Sequence, residues 1–430
     1  GRYKTILWIS LLYCLGHGVL ALADVLYPMV AAPAPLVELT ETAKNAWEVS
    51  NRAAAEGRMW MLGAGLTLIA FGAGGIKPCV SAFMGDQFVD ASSKLYERAY
   101  AAFYFSINFG SFFSFLTIPW VARNWGYSWA FGIPGILMGL ATLIFYLGSS
   151  QYRKVAPARE TRSAGFFPVL FEALRNRQPG RGFWEGALAG ARFSPGEVKA
   201  AASVAPVLSV FALIPPFWAM FDQHSSTWVL QAKEMTAVEV TVPGFGWKYT
   251  VGGEEMQSLN PLLVMLLVPL VTLVLYPAFG RITKVTPLRR IGVGMFVAGL
   301  SYVVVAWIQQ RVSAGEKLSV LWQAIPYTIL TTAEVLVSTT GLEFAYTQAA
   351  KSMKSTIVSF WLLTVAAGNF LVAMITKFGS KAAEGQAASE SVTAGRFLTY
   401  ALMTFGVAVV FVFVAMAYRY RDAEVGESKA

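Results

Sequence analysis

The chain is poor in the residues on which most site chemistry depends. Of 430 residues only two are cysteines, Cys14 and Cys79, and both lie inside apolar runs. That excludes a disulfide framework and any cysteine-spaced metal site. Only two histidines, His17 and His224, are present. No Ser/His/Asp arrangement, metal cluster or phosphate-cradling loop is visible, so neither an enzyme nor a cofactor or metal site is expected. Charged residues make up 14% of the chain, where a soluble domain carries about 25%. The net charge of +9 does not point to nucleic acid, because most basic residues fall in short connections between apolar runs, as they do in membrane proteins. No signal-peptide pattern precedes the first apolar run.

What is present is hydrophobic length: 56% of the residues are hydrophobic. Ten runs are long enough to cross a bilayer, near 5–23, 59–83, 97–120, 127–148, 203–223, 259–280, 288–309, 319–341, 354–376 and 396–418. An even number puts both ends on one side. The connections on that side carry Arg2 and Lys4, Lys94 and Arg98, Arg281, Lys284, Arg289 and Arg290, Lys351 and Lys354, and Arg419 and Arg421. By the positive-inside rule both ends are cytoplasmic, and a multi-pass protein of the cell membrane is expected. Residues 150–202, with nine basic and four acidic residues, read as a cytoplasmic linker between four spans and six. The expected divisions are 1–150, 151–202 and 203–430. Within the linker, Phe166–Leu174 has the pattern of a short amphipathic helix at the interface. On the outer side, 24–57 read as a long loop and 237–252 as a small hairpin around Gly244 and Gly246, with an irregular aromatic loop as the alternative.

Polar residues inside apolar runs mark function, because burying them in a bilayer is costly. Lys77 sits deep in the second run beside Pro78, where a lysine costs about 2.5–3.5 kcal/mol on insertion scales. It shares a helical face with Gly74, Ser81 and Gly85, and the glycines at 72, 74 and 75 permit close helix approach. Tyr100, Tyr104, Asn108 and Ser111 align on the third run. Pro215, Trp218 and Asp222 align on the fifth, and Trp361, Thr364 and Gly368 on the ninth. Tyr327, Thr331, Glu334, Ser338 and Gly341 form a stripe on the eighth, and Ser258-Leu-Asn-Pro261 opens the sixth. These follow i, i+3, i+4 or i+7 spacing. The bland readings are helix–helix bonding for Asn108, a helix cap for Ser258 and Asn260, interfacial anchoring for the tryptophans and a satisfied structural histidine for His17. Glu334 resists a bland reading, since no basic residue lies within a turn of it. One cation in the first half and two acids, Asp222 and Glu334, in the second suggest a central cavity for a zwitterion, and buried carboxylates are suited to loading and releasing protons.

Phe71-Gly-Ala-Gly-Gly-Ile-Lys-Pro-Cys79, Phe103-Tyr-Phe-Ser-Ile-Asn-Phe-Gly-Ser111, Phe217-Trp-Ala-Met-Phe-Asp-Gln223, Leu259-Asn-Pro261 and Gly341-Leu-Glu-Phe-Ala-Tyr-Thr-Gln348 resemble, in order, the signatures of the proton-dependent oligopeptide transporter family of the major facilitator superfamily. The resemblance covers essentially the whole chain. It implies an all-α polytopic membrane protein of twelve spans in two six-span bundles, built from inverted repeats with the substrate at the midplane. Ten spans are visible, so the first two are expected to be absent here, together with the family's Glu-x-x-Glu-Arg motif. The resemblance assigns Lys77 to the peptide carboxylate, Asn108, Asn260 and Glu334 to the peptide amino end, Trp218 and Trp361 to the pocket wall, and Asp222 to proton coupling together with Glu334. Phe221 stands where some bacterial members carry a second acid. Residues 150–202 are too polar to be the two extra spans that some members insert there.

The expected function is proton-coupled import of di- and tripeptides by alternating access, as a monomer in the lipid bilayer, with protons as coupling ion. A same-fold carrier of another anion, such as nitrate, or of a peptide-like compound is the nearer alternative. An anion carrier needs no amine-binding acid, so Glu334 argues against nitrate. A peptide receptor that does not transport is the more distant one.

Overall fold

A computed structural model describes residues 1–28, 41–88, 93–155, 165–177, 179–189, 192–241, 248–282, 284–348, 350–382 and 392–420. Nine of its helices are long and apolar enough to span a membrane, and a bent pair, Pro195–Phe211 with Pro215–Lys233 at 44°, brings the number to ten if it counts as one span. The chain divides into two units, Gly1–Ile107 with Leu116–Glu160, and Asn108–Phe115 with Thr161–Ala430.

The first unit contains α1 (Arg2–Leu26), α2 (Glu41–Gln87), α3 (Ser93–Trp125) apart from Asn108–Phe115, and α4 (Tyr127–Leu147). Small residues let α1 and α2 meet backbone to backbone. A Cβ on Gly16 would fall 2.9 Å from the Gly65 carbonyl, one on Gly72 2.8 Å from Tyr13 Cβ, and one on Gly75 would collide with Ile9. Gly74 has open space instead, so only two of the three glycines expected to serve close approach do so. The α1–α4 side is sealed by His17, whose Nδ1 donates to the Phe131 carbonyl at 3.0 Å. The bond across helices fits the expected structural role, but Nε2 is buried without a partner among the described residues, so the histidine is only half satisfied. The expected outer loop 24–57 is helical from Glu41 on, while 29–40 lie outside the described residues. The Ala- and Glu-containing stretch up to Glu56 loses hydropathy without losing helix propensity. Arg58 ties it to α1, with 3.0 Å to Asp24 Oδ1 and 2.8 Å from Nε to the Tyr27 carbonyl. α2 runs on through Pro78 as one helix.

The second unit begins with α5 (Phe166–Arg175), α6 (Gly186–Ala189) and α7 (Pro195–Ala202), which pack on one another. α5 buries Phe166, Val169 and Ala173 and leaves Phe167, Phe171 and Leu174 exposed. It is docked on the helical bundle through Phe166, edge-on to Phe360 at 5.6 Å. A capping box, Ser194 with Glu197, starts α7 ahead of Pro195, and the helix leads directly into α8 (Val204–Phe211). The span then breaks before the Pro215-Pro216 pair and resumes as α9 (Pro215–Phe221) and α10 (Thr227–Lys233). The broken span thus starts before residue 203 and ends beyond 223, because proline at helix position N1 restarts a helix that an apolar-run reading ends or joins.

Strands β1 (Val238–Thr241) and β2 (Lys248–Val251) pair antiparallel with Val238 opposite Val251, as the hairpin expectation requires. Its turn, 242–247, lies outside the described residues. After α11 (Gly253–Met256) come α12 (Leu259–Leu270) and α13 (Tyr276–Gly280), joined by a π-helical turn, Val271–Leu275. α14 (Pro287–Ser313) packs against α15 (Ala324–Glu334) and α18 (Ala394–Ala417). A second π-turn, Val335–Thr339, joins α15 to α16 (Thr340–Gln348), and α17 (Lys354–Ala382) packs on α9. Near the hairpin a buried amide network locks this unit. Gln231 donates to Gln309 at 3.0 Å, and Gln323 donates to Gln231 at 3.1 Å.

Candidate functional site

The second unit assembles most of the expected polar residues into one constellation. Asn260, in the first turn of α12, points its amide at α15. Nδ2 donates to Glu334 Oε2 at 2.7 Å and to Thr331 Oγ1 at 3.2 Å. One NH2 group has two hydrogens, and both are used. The short bond to a carboxylate is of the charge-assisted kind. Ser258 makes no capping bond with its side chain, so the helix-cap reading of Ser258-Leu-Asn-Pro261 fails and Asn260 acts across helices. No Lys, Arg or His pairs with Glu334 among the described residues. Glu334 is the last residue before the π-turn. Such i→i+5 turns widen a helix locally and recur at functional positions. The α12 span carries its own π-turn on the same helix as Asn260.

Asp222 follows α9 at the broken span. The Asn369 side chain of α17 and the Glu334 carboxylate lie in its neighbourhood. Beside it, Tyr327 donates from its hydroxyl to the His224 carbonyl at 3.1 Å, joining the end of the broken span to α15. Asn369 escapes the sequence reading, although an amide within an apolar run is itself a signal.

Trp218 and Trp361 sit edge to face, ring centres 6.1 Å apart. Both belong to the core of the unit, 8% and 4% exposed. Each occupies space that a glycine vacates. A Cβ on Gly341 would run into the Trp361 ring, and one on Gly368 would lie 2.7 Å from Trp218 Cβ. The stripe glycines therefore seat tryptophans. The indole Nε1 of Trp218 is buried with no partner among the described residues.

In the first unit Lys77 lies on the face of α2 turned away from the α1 contact, in line with Gly74 and Ser81. It is exposed and forms no ion pair among the described residues. The Tyr100 hydroxyl of α3 donates to the Ser81 carbonyl at 2.9 Å, so α3 borders this face. Asn108 is half-buried on α3, in the segment that groups with the second unit.

Multiple apolar helices carrying polar groups within them, broken by π-turns and a bent span, define a polytopic helical membrane protein. Residues 3–392 match the model of the POT family, and the chain belongs to that family. It is 33% identical to solute carrier family 15 member 1 of Oryctolagus cuniculus, over 73% of this chain and 43% of that protein. It is 32% identical to peptide transporter 3 of Caenorhabditis elegans, over 73% of this chain and 42% of that one. The chain thus spans about two fifths of the length of these curated relatives. Among solved structures it resembles an auto-inhibited POT family peptide transporter, at 35% identity and TM-score 0.77, covering 99% of this chain and 84% of that one. It also resembles the POT family transporter PepTSo, at 37% identity and TM-score 0.75, covering 97% and 84%.

Proposed function

We propose that this protein imports di- and tripeptides with protons by alternating access, as a monomeric symporter of the cell membrane with both ends cytoplasmic. The observation that carries the reading is the Asn260–Glu334 pair, a carboxylate oriented by an amide and with no cation paired to it among the described residues. An incoming peptide ammonium supplies that cation. Asn260 holds Glu334 through Nδ2 and keeps Oδ1 as a further acceptor for the same ammonium. Lys77 takes the peptide carboxylate, and a free peptide is the substrate class that carries both charges at a fixed backbone spacing. Asn108 adds a polar contact at the amino end. Trp218 and Trp361 line the side-chain space from beneath. Glu334 exchanges a proton for the ammonium as the peptide arrives and leaves, and Asp222 relays charge beside it. Kinship with proteins named as peptide transporters supports this reading.

The test is uptake of dialanine by the full-length protein in liposomes under an inward proton gradient. Accumulation that collapses with the gradient is expected. Binding of dialanine without gradient-driven accumulation would make the protein a receptor.

A further inference from the structure

A cavity of about 960 Å³ lies in the second unit, lined from α13, α14, α15 and α18. None of the residues assigned to the peptide lines it. Its walls are apolar, with Phe279 from α13, Val293 and Phe296 from α14, Leu336 from the π-turn after α15, and Val412 and Met416 from α18. Phe279, Val293 and Met416 are 55%, 55% and 76% exposed, on helices long and apolar enough to span a membrane, so the cleft opens toward lipid. Lys284, Arg289 and Arg290, in the first turn of α14 and the connection before it, add cations to the lining.

The three cations are not equivalent. Arg290 is committed, with both Nη atoms on the Glu343 carboxylate at 2.8 and 2.7 Å and its guanidinium over Tyr276 at 4.7 Å. Lys284 is exposed and makes no ion pair among the described residues. Arg289 Nη1 donates to the Lys284 backbone carbonyl at 3.0 Å, which ties the arginine to the connection that carries Lys284. From Arg289 to Phe296 α14 rises about 10 Å, a length of apolar wall beyond the cations. A soluble anion uses the cations and gains nothing from the wall. A neutral lipid uses the wall and gains nothing from the cations.

We propose that this cleft binds an anionic phospholipid from the leaflet on the side of the basic connections, with its phosphate at Lys284 and Arg289 and an acyl chain along Val293, Phe296 and Met416. Basic pockets between membrane helices are suited to such headgroups. The cleft is walled by the π-turns of both helices that carry the Asn260–Glu334 pair, since Val271 and Leu275 line it with Leu336. Occupancy therefore bears on the elements that position the substrate acid.

The test is native mass spectrometry of the full-length protein in detergent, titrated with phosphatidylglycerol or phosphatidylcholine. Phosphatidylglycerol should bind more tightly. Lys284→Gln and Arg289→Gln should each weaken it about fivefold, the worth of one basic residue at an anionic surface, and leave phosphatidylcholine unaffected. Val293→Trp, which fills the cleft, should weaken both lipids. Arg281→Gln removes a neighbouring charge outside the cleft and should leave the preference intact. Equal binding of the two lipids by the unaltered protein, an Arg281→Gln effect as large as that of Lys284→Gln, or release of phosphatidylglycerol by inorganic phosphate alone would each overturn the proposal. The last would mark a site for a free anion.

Discussion

The two units treat their charged residues in opposite ways. In the first, Lys77 stands exposed on the face of α2 away from α1, with the small residue Gly74 beside it and nothing within 4 Å of where a Cβ there would lie. The packing of that unit is spent on the other face, where Gly16, Gly65, Gly72 and Gly75 bring α1 and α2 together. In the second, Glu334 is fixed by Asn260 and Thr331 is drawn into the same amide. The acids are preorganised, whereas the cation is presented on an open face. A carboxylate with a fixed partner has a defined direction, which suits a ligand that must be read by geometry. A lysine on a flexible stem is a mobile point charge, which suits the proposed function, where the ligand's length varies between di- and tripeptides.

The largest effect is expected at Lys77, since nothing else in the described part of the first unit replaces an intramembrane cation on that face. Lys77→Ala in the full-length protein should abolish gradient-driven uptake of dialanine while expression and the unfolding midpoint stay near those of the unaltered protein. Near-normal uptake by a folded Lys77→Ala variant would remove the lysine from the site.

Next comes the acid. Glu334→Gln replaces a carboxylate by an amide of the same shape. It should weaken binding of free dipeptides by about 1.5–3 kcal/mol, the range for a hydrogen bond to a charged group. N-acetylated dipeptides bring no ammonium and should lose much less. Lys77 variants should show the mirror pattern, with sensitivity to amidation of the peptide's carboxyl end. Thermal shift on purified protein reads both without requiring transport. Equal losses for acetylated and free peptides would assign Glu334 to proton movement alone.

A smaller effect tests how the second unit holds its shape. Gly341→Ala drives a methyl group into the Trp361 ring, and overpacking of this kind costs about 1–3 kcal/mol. Gly74→Ala in the first unit meets nothing within 4 Å and should be neutral or slightly stabilising, as glycine is a poor helix former. Comparison of their unfolding midpoints in one detergent decides the matter, and equal midpoints would mean that Trp361 moves aside freely.

Much of this was legible in advance, and what was not has identifiable causes. Hydropathy locates spans because a bilayer demands about 20 apolar residues, and the intramembrane polar set follows from the cost of burying it. The pairing of Asn260 with Glu334 across 74 residues is a matter of tertiary register, which spacing within one helix does not report. The π-turns after Leu270 and Glu334 have no composition of their own, and an i, i+4, i+7 stripe such as Tyr327, Thr331 and Glu334 reads correctly only up to the turn. The helical start of α7, by contrast, is written plainly in Ser194-Pro-Gly-Glu197, a capping box with proline at N1. An apolar-run reading passes over it because the turn that follows is polar. The helical stretch of α2 before Met59 is hidden in the same way, since helix propensity persists where hydropathy fails.

The smallest effect concerns two ion pairs in corresponding roles, each joining the start of one span to the end of another. In the first unit Arg2 Nη1 reaches both Asp86 oxygens at 2.5 Å, with the arginine 46% exposed. In the second, Arg290 grips Glu343 with two nitrogens, is only 14% exposed, and lies over the Tyr276 ring. An exposed pair is worth about 0–1 kcal/mol and is screened by salt. A bidentate, half-desolvated arginine stacked on an aromatic ring adds about 0.5–1 kcal/mol from the ring alone and is screened less. Arg2→Gln should therefore lower the unfolding midpoint slightly, and by less at high salt. Arg290→Gln should lower it more, with a loss that persists at high salt because the Tyr276 contact does not depend on a screened charge pair alone. Tyr276→Leu should remove part of the Arg290 advantage and leave the Arg2 pair untouched. If the two arginine variants lost equal stability with the same salt dependence, burial and stacking would not distinguish the two units at these junctions.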